Sequence, residues 1–124
     1  MQIPRTQATQ TSYNDFKQNQ SPSISHEQFD FANETIVQEY RYWYIIKNRF
    51  PYDTMVRVND MLVSKRAVST FKELKADEIT EYSQILEELT ESKSYDARIE
   101  NFPHVKSVTQ HIHIHLVCWH NTVS

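Results

Sequence analysis

Glycine is absent from all 124 residues. It normally supplies positive φ in tight turns and lets a backbone approach phosphate closely, so Walker-type and Rossmann-type nucleotide loops are excluded. Cysteine is almost absent too: Cys118 stands alone, so no intramolecular disulfide can form. No apolar run is long enough to cross a bilayer, and the polar start over residues 1–10 lacks the apolar core of a signal peptide. These absences predict a cytoplasmic protein. An excess of positive charge is missing as well. The formal net charge is -3 and the pI is near 6.0, which provides no field of the kind that holds long nucleic acids or anionic membranes. Small anionic ligands stay open, because local donors can outweigh global charge.

What is present suits one compact domain, since 39% of residues are apolar and 12% aromatic. Residues 1–33 are rich in Gln, Ser, Thr and Asn and read as a polar, mobile arm with at most a short helix. The folded domain is expected over 34–124. Residues 35–39 and 42–48 are dense in β-branched and aromatic side chains, favouring two strands joined near Tyr40 and Arg41. On the second, Tyr44, Ile46 and Asn48 share one face, with Trp43, Ile45 and Lys47 on the other. Pro51 ends it, and residues 55–64 read as a third strand with a bulge or turn at Asn59 and Asp60. Over 71–91 the period changes to that of an amphipathic helix, with Ile79, Tyr82, Leu86 and Leu89 as its stripe. Asp77 and Glu78 suit its N-terminal end, although no Ser, Thr, Asp or Asn cap precedes them. Residues 95–101 and 108–118 read as two further strands around a loop at 102–106. The order is α+β: a five-stranded, mostly antiparallel sheet with one main helix packed on it.

Five of the six histidines lie between His104 and His120. In the run His111-Ile112-His113-Ile114-His115-Leu116-Val117 a strand puts three imidazoles on one face and Ile112, Ile114 and Leu116 on the other. Imidazole can exchange a proton, attack phosphorus or bind a metal near neutral pH. Metal binding meets a geometric limit: alternate strand residues are about 6.7 Å apart and the outer pair about 13 Å, whereas a zinc-bound imidazole nitrogen sits about 2.0 to 2.1 Å from the ion. Two neighbours can share one ion, but a third ligand must come from elsewhere. The bland reading is a solvated or core strand whose ring nitrogens are merely satisfied, which means three adjacent imidazoles all needing partners. Nucleophilic catalysis uses the three positions differently: one neutral histidine attacks, and its neighbours donate to developing charge and protonate the leaving group.

The run resembles the signature of the histidine triad (HIT) nucleotide hydrolases and transferases, His-φ-His-φ-His-φ-φ with φ apolar, at every position. The resemblance extends over about residues 35–120. Asn48-Arg49-Phe50-Pro51 looks like the family's strand end, and Met61-Leu62-Val63-Ser64-Lys65-Arg66 resembles its apolar strand with a following basic pair. By this resemblance His113 is the nucleophile that takes the nucleoside monophosphate, His111 orients it, and His115 contacts the scissile phosphate or the leaving group. Asn48 meets the ribose hydroxyls, Ile46 lines the base pocket with Tyr44 beside it, and Ser107 and Asn101 are polar contacts on the phosphate side. The implied activity is hydrolysis or nucleotidyl transfer at the α-phosphorus of a small nucleotide, with no metal and no cofactor, by a homodimer.

Departures from the pattern fall at defined places. The loop before the triad, Asn101-Phe102-Pro103-His104-Val105-Lys106-Ser107, has no glycine. The family's additional upstream histidine is Asn59 here, the proline of the basic motif is Ser64, and a frequent histidine after the basic pair is Ala67. Proton delivery to the leaving group therefore lacks its usual residue, with His104 as a loop alternative. The competing expectation is a noncatalytic nucleotide-binding or interaction module that retains the triad, and a metal-dependent enzyme is the third.

Overall fold

The computed structural model describes residues 5–18, 30–102 and 111–120. Five strands form one sheet, β1 (Ile36–Glu39), β2 (Trp43–Lys47), β3 (Val56–Ser64), β4 (Ala97–Ile99) and β5 (His113–Trp119), in the order β1-β2-β3-β5-β4. All four pairings are antiparallel. Helix α1 (Gln7–Gln18) precedes the sheet and α2 (Ala76–Ser92) lies between β3 and β4. The expected α+β class, the sheet and the single main helix across it are all present. No helix among the described residues is long and apolar enough to cross a membrane.

The two faces of the sheet do different work, as the alternation of β2 and β5 requires. Trp43 and Ile45 join Leu62, Ile112, Ile114 and Leu116 in the main core beneath α2, where Ile85 is the most buried helical residue. The opposite face gathers Ile46, Met61 and Val63 under Phe31 and Tyr44. Burial of side chains such as Ile85, at about 1.5–3 kcal/mol each, is what holds α2 on the sheet. The Trp43 indole adds a directional contact, its Nε1–H donating to the Glu78 carbonyl at 2.9 Å.

Several local expectations are corrected. The register shift in β3 falls between Val56 and Val58, and Asn59 and Asp60 pair in register with Val117 and Leu116. Their polarity, which suggested a bulge, is instead satisfied inside the ladder's flanks: Asp60 accepts the Tyr95 hydroxyl at 2.6 Å. Residues 71–73 form a separate 3-10 turn, and α2 starts at Ala76. Without an Asp or Ser cap, the Glu78 carboxylate reaches back to the Lys75 N–H at 2.7 Å, the acidic half of a capping box. The stripe is also displaced: Ile79 is 40% exposed and Ile85 1%. At the helix end Lys93 takes the left-handed conformation, φ 56°, a position usually given to glycine.

Residues 5–18 dock through their start. Asp53, in the loop after β2, accepts the Thr6 N–H at 2.7 Å, the Thr6 hydroxyl at 3.1 Å and the Thr9 hydroxyl at 2.6 Å. These bonds, that from Thr9 foremost, hold the Asp53 carboxyl below its ordinary range. Arg5 donates from Nε to the Phe50 carbonyl at 2.5 Å.

Candidate functional site

The triad occupies the sheet face opposite α2. His113 stands opposite Val63 and His115 opposite Met61, so the central strands fix the spacing of both rings. Exposure is 5% for His111, 6% for His113 and 4% for His115. Buried imidazoles must find partners for both nitrogens, and here the partners choose the tautomers.

His111 Nδ1 lies 2.8 Å from the Ser64 carbonyl, and His113 Nδ1 lies 3.2 Å from the His111 carbonyl. A carbonyl only accepts, so both rings carry a proton on Nδ1, and in the neutral form the lone pair is on Nε2. Burial lowers the His111 pKa, opposed in part by the Ser64 bond.

His115 is the reverse case. Asn59 Oδ1 accepts the Tyr52 backbone N–H at 3.1 Å and the Asn48 side-chain amide at 3.1 Å. Its Nδ2 therefore faces the Asp60 carbonyl at 3.1 Å and His115 Nδ1 at 3.1 Å. Since the amide donates, His115 Nδ1 accepts and the ring proton sits on Nε2, which donates to the Tyr52 hydroxyl at 3.2 Å. Burial first, then His113 and Arg5 nearby, push the His115 pKa down to about 3. The ring is neutral at physiological pH. His113 and His115 meet edge to face, with centroids 5.8 Å apart.

The other expected residues are brought in to different degrees. Asn48 joins the cluster through Asn59, while its Oδ1 accepts the Phe50 N–H at 3.0 Å. Asn101 reaches it through Tyr52, donating from Nδ2 to the hydroxyl at 3.2 Å. Ile46 lies beneath it and is 0% exposed, with half-buried Phe31 and Tyr44 packed against its cluster. Ser107 and His104 lie outside the described residues. Lys65 pairs with Glu39 at 2.7 Å, and Arg66 forks onto Glu78 at 2.7 and 3.2 Å, so this basic pair is engaged with carboxylates. Among the described residues, no group of three or more His, Cys, Asp or Glu is placed to hold a metal ion.

Sequence reasoning missed Tyr52, Phe31 and Arg5. The Tyr52 ring packs on His115 with centroids 4.6 Å apart, the Phe31 ring meets His111 edge-on at 5.3 Å, and the Arg5 guanidinium lies 5.0 Å from the Tyr52 centroid. Only Tyr52 carried a signal, its place one residue beyond Pro51. The arrangement brings together an imidazole at His113 with its proton on Nδ1, a neutral N–H donor at His115 and an arginine one aromatic ring away. No family model matches the chain, and no curated protein matches it in sequence.

Proposed function

We propose that this chain is a HIT-type nucleotide hydrolase or nucleotidyl transferase that acts at the α-phosphorus through a nucleotidyl-His113 intermediate. The observation that carries the reading is the His113 tautomer: Nδ1–H is held by the His111 carbonyl at 3.2 Å, which puts the lone pair on Nε2. A neutral imidazole with its proton fixed on the far nitrogen is ready to attack. As Nε2 bonds to phosphorus, the bond to the leaving group breaks and its electron pair departs with that group. The ring becomes cationic, and its hydrogen bond to the His111 carbonyl becomes charge-assisted. Water, or another acceptor hydroxyl, then attacks phosphorus and returns the electron pair to Nε2.

In this reading Asn48 keeps a place at the ribose, since its Nδ2 has a second N–H beyond the one given to Asn59. With Ile46 covered, the base meets Phe31 and Tyr44. A small nucleotide as substrate, a homodimer and a cytoplasmic setting belong to the same proposal; Ile36 and Val37, exposed on edge strand β1, support continuation of the sheet into a second copy.

The test is rapid quenching at alkaline pH with a labelled dinucleoside polyphosphate or nucleoside phosphoramidate. A nucleoside monophosphate on the peptide containing His113 is the expected result, and label on another residue overturns the assignment. The second reading, a noncatalytic nucleotide-binding module, is favoured by one observation: His115 is held neutral and supplies no imidazolium as acid. Tight nucleotide binding with neither burst nor adduct would establish that module instead.

A further inference from the structure

A leaving group that departs as an oxyanion needs a proton or a strong hydrogen bond, and the triad itself offers little. His111 and His113 direct their protons to backbone carbonyls. His115 has one proton, on Nε2, and it is given to the Tyr52 hydroxyl. The same oxygen accepts from Asn101 Nδ2 at 3.2 Å. A phenol oxygen has two lone pairs and one proton; with both lone pairs taken, the proton must point away from both donors.

We infer that Tyr52 is a catalytic residue of the proposed reaction, the proton donor to the leaving group, with His115 and Asn101 orienting it. The inference rests on the nucleotidyl-transfer reading. In the first step the Tyr52 proton moves to the leaving atom as its bond to phosphorus breaks, and Tyr52 becomes a phenolate. That charge is met by the His115 Nε2–H, by the Asn101 amide and by the Arg5 guanidinium beside the ring. In the second step the attacking water gives its proton back to Tyr52 as oxygen bonds to phosphorus and the bond to His113 breaks. Protons and electrons balance over the cycle, with no external acid.

The placement of Tyr52 is built from several directions, and this distinguishes it from an incidental loop tyrosine. Its backbone N–H is held by Asn59, its ring lies on His115, and its loop is tied to residues 5–9 by Arg5 on Phe50 and by Thr6 and Thr9 on Asp53. Asn59, which stands where a histidine was expected, is thus the element that aims His115 Nε2–H at the phenol.

Tyr52→Phe keeps the ring contact and deletes only the hydroxyl. The full chain and this variant are compared on a series of nucleoside 5′-monophosphate esters, from p-nitrophenyl to alkyl. The dependence of single-turnover rate on leaving-group basicity is expected to steepen: at least a hundredfold loss for the alkyl ester against less than tenfold for p-nitrophenyl. Asn101→Leu and Arg5→Met, which remove support from the phenolate, are expected to steepen it less. A uniform loss across the series, as misfolding or mispositioning would produce, overturns the proton-donor role and leaves nucleotidyl transfer standing. If the unaltered chain forms no adduct with any ester, both readings fall.

Discussion

The Asn59 side-chain amide lies 3.1 Å from His115 Nδ1, and this one contact gives His115 the opposite tautomer from His113 on the same strand and from His111 just before it. Three chemically identical side chains thereby present two different groups. Two are lone pairs on Nε2, and the third is an N–H.

Nitrogen-15 correlation spectra should show this directly. His111 and His113 are expected to carry a proton on Nδ1, and His115, whose pKa is pushed down to about 3, as the neutral Nε2–H tautomer. Asn59→Asp, whose carboxylate accepts where the amide donated, should move the His115 proton to Nδ1.

Replacing the proposed nucleophile should separate chemistry from binding. His113→Ala is expected to abolish adduct formation while nucleotide affinity stays within about tenfold, because an attacking group contributes mainly in the transition state. Single-turnover rates and equilibrium binding on the folded variant check it, and unchanged turnover would remove His113 from the mechanism.

Stability should fall as pH is lowered from 7 to 5. The His115 pKa is depressed in the folded state, to about 3, so the unfolded chain takes up protons near its ordinary pKa of about 6.5 while the folded chain does not. The contribution is full above the unfolded value and is lost as pH falls toward the folded one. His111 shifts in the same direction. Urea unfolding is expected to show a loss of about 1–2 kcal/mol between pH 7 and pH 5, and His115→Gln should reduce that slope.

Ile85→Ala should cost about 2–4 kcal/mol, because the residue is 1% exposed at the centre of the contact between α2 and the sheet. Ile79→Ala, on a residue 40% exposed, should cost under about 1 kcal/mol. Equal losses at the two positions would contradict the observed helix face.

The sheet was legible because its signals are local. Alternation on 43–47 and 111–117 assigns each side chain to a face without knowledge of the partner strands, and the structure keeps those assignments. The rotation of α2 was less legible: Ile79, Tyr82, Leu86 and Leu89 fit a stripe, but Ile85 fits one about as well, and only contact with Trp43 and Leu62 selects between them. Least legible was Tyr52, which lies 63 positions from His115. No periodicity connects a residue in the loop after β2 to a ring on β5. Asn59 looked like a broken alternation or a lost histidine, because its partners at 48 and 52, in the loop after β2, and at 115, on β5, are brought together only by folding.

The two backbone carbonyls that hold His111 and His113 carry a different kind of consequence. A carbonyl belongs to every amino acid, so no point substitution at Ser64 that preserves the backbone can delete the acceptor for His111, and the acceptor for His113 survives even the loss of the His111 ring. Their readiness is inherited with strand register and is buffered against mutation. His115 depends on a side chain, and exchanging Asn59 alone can reset its proton. Variation in the proton arrangement of this cluster is therefore expected to enter through position 59, while the proton positions of His111 and His113 are insensitive to drift in their partners' side chains.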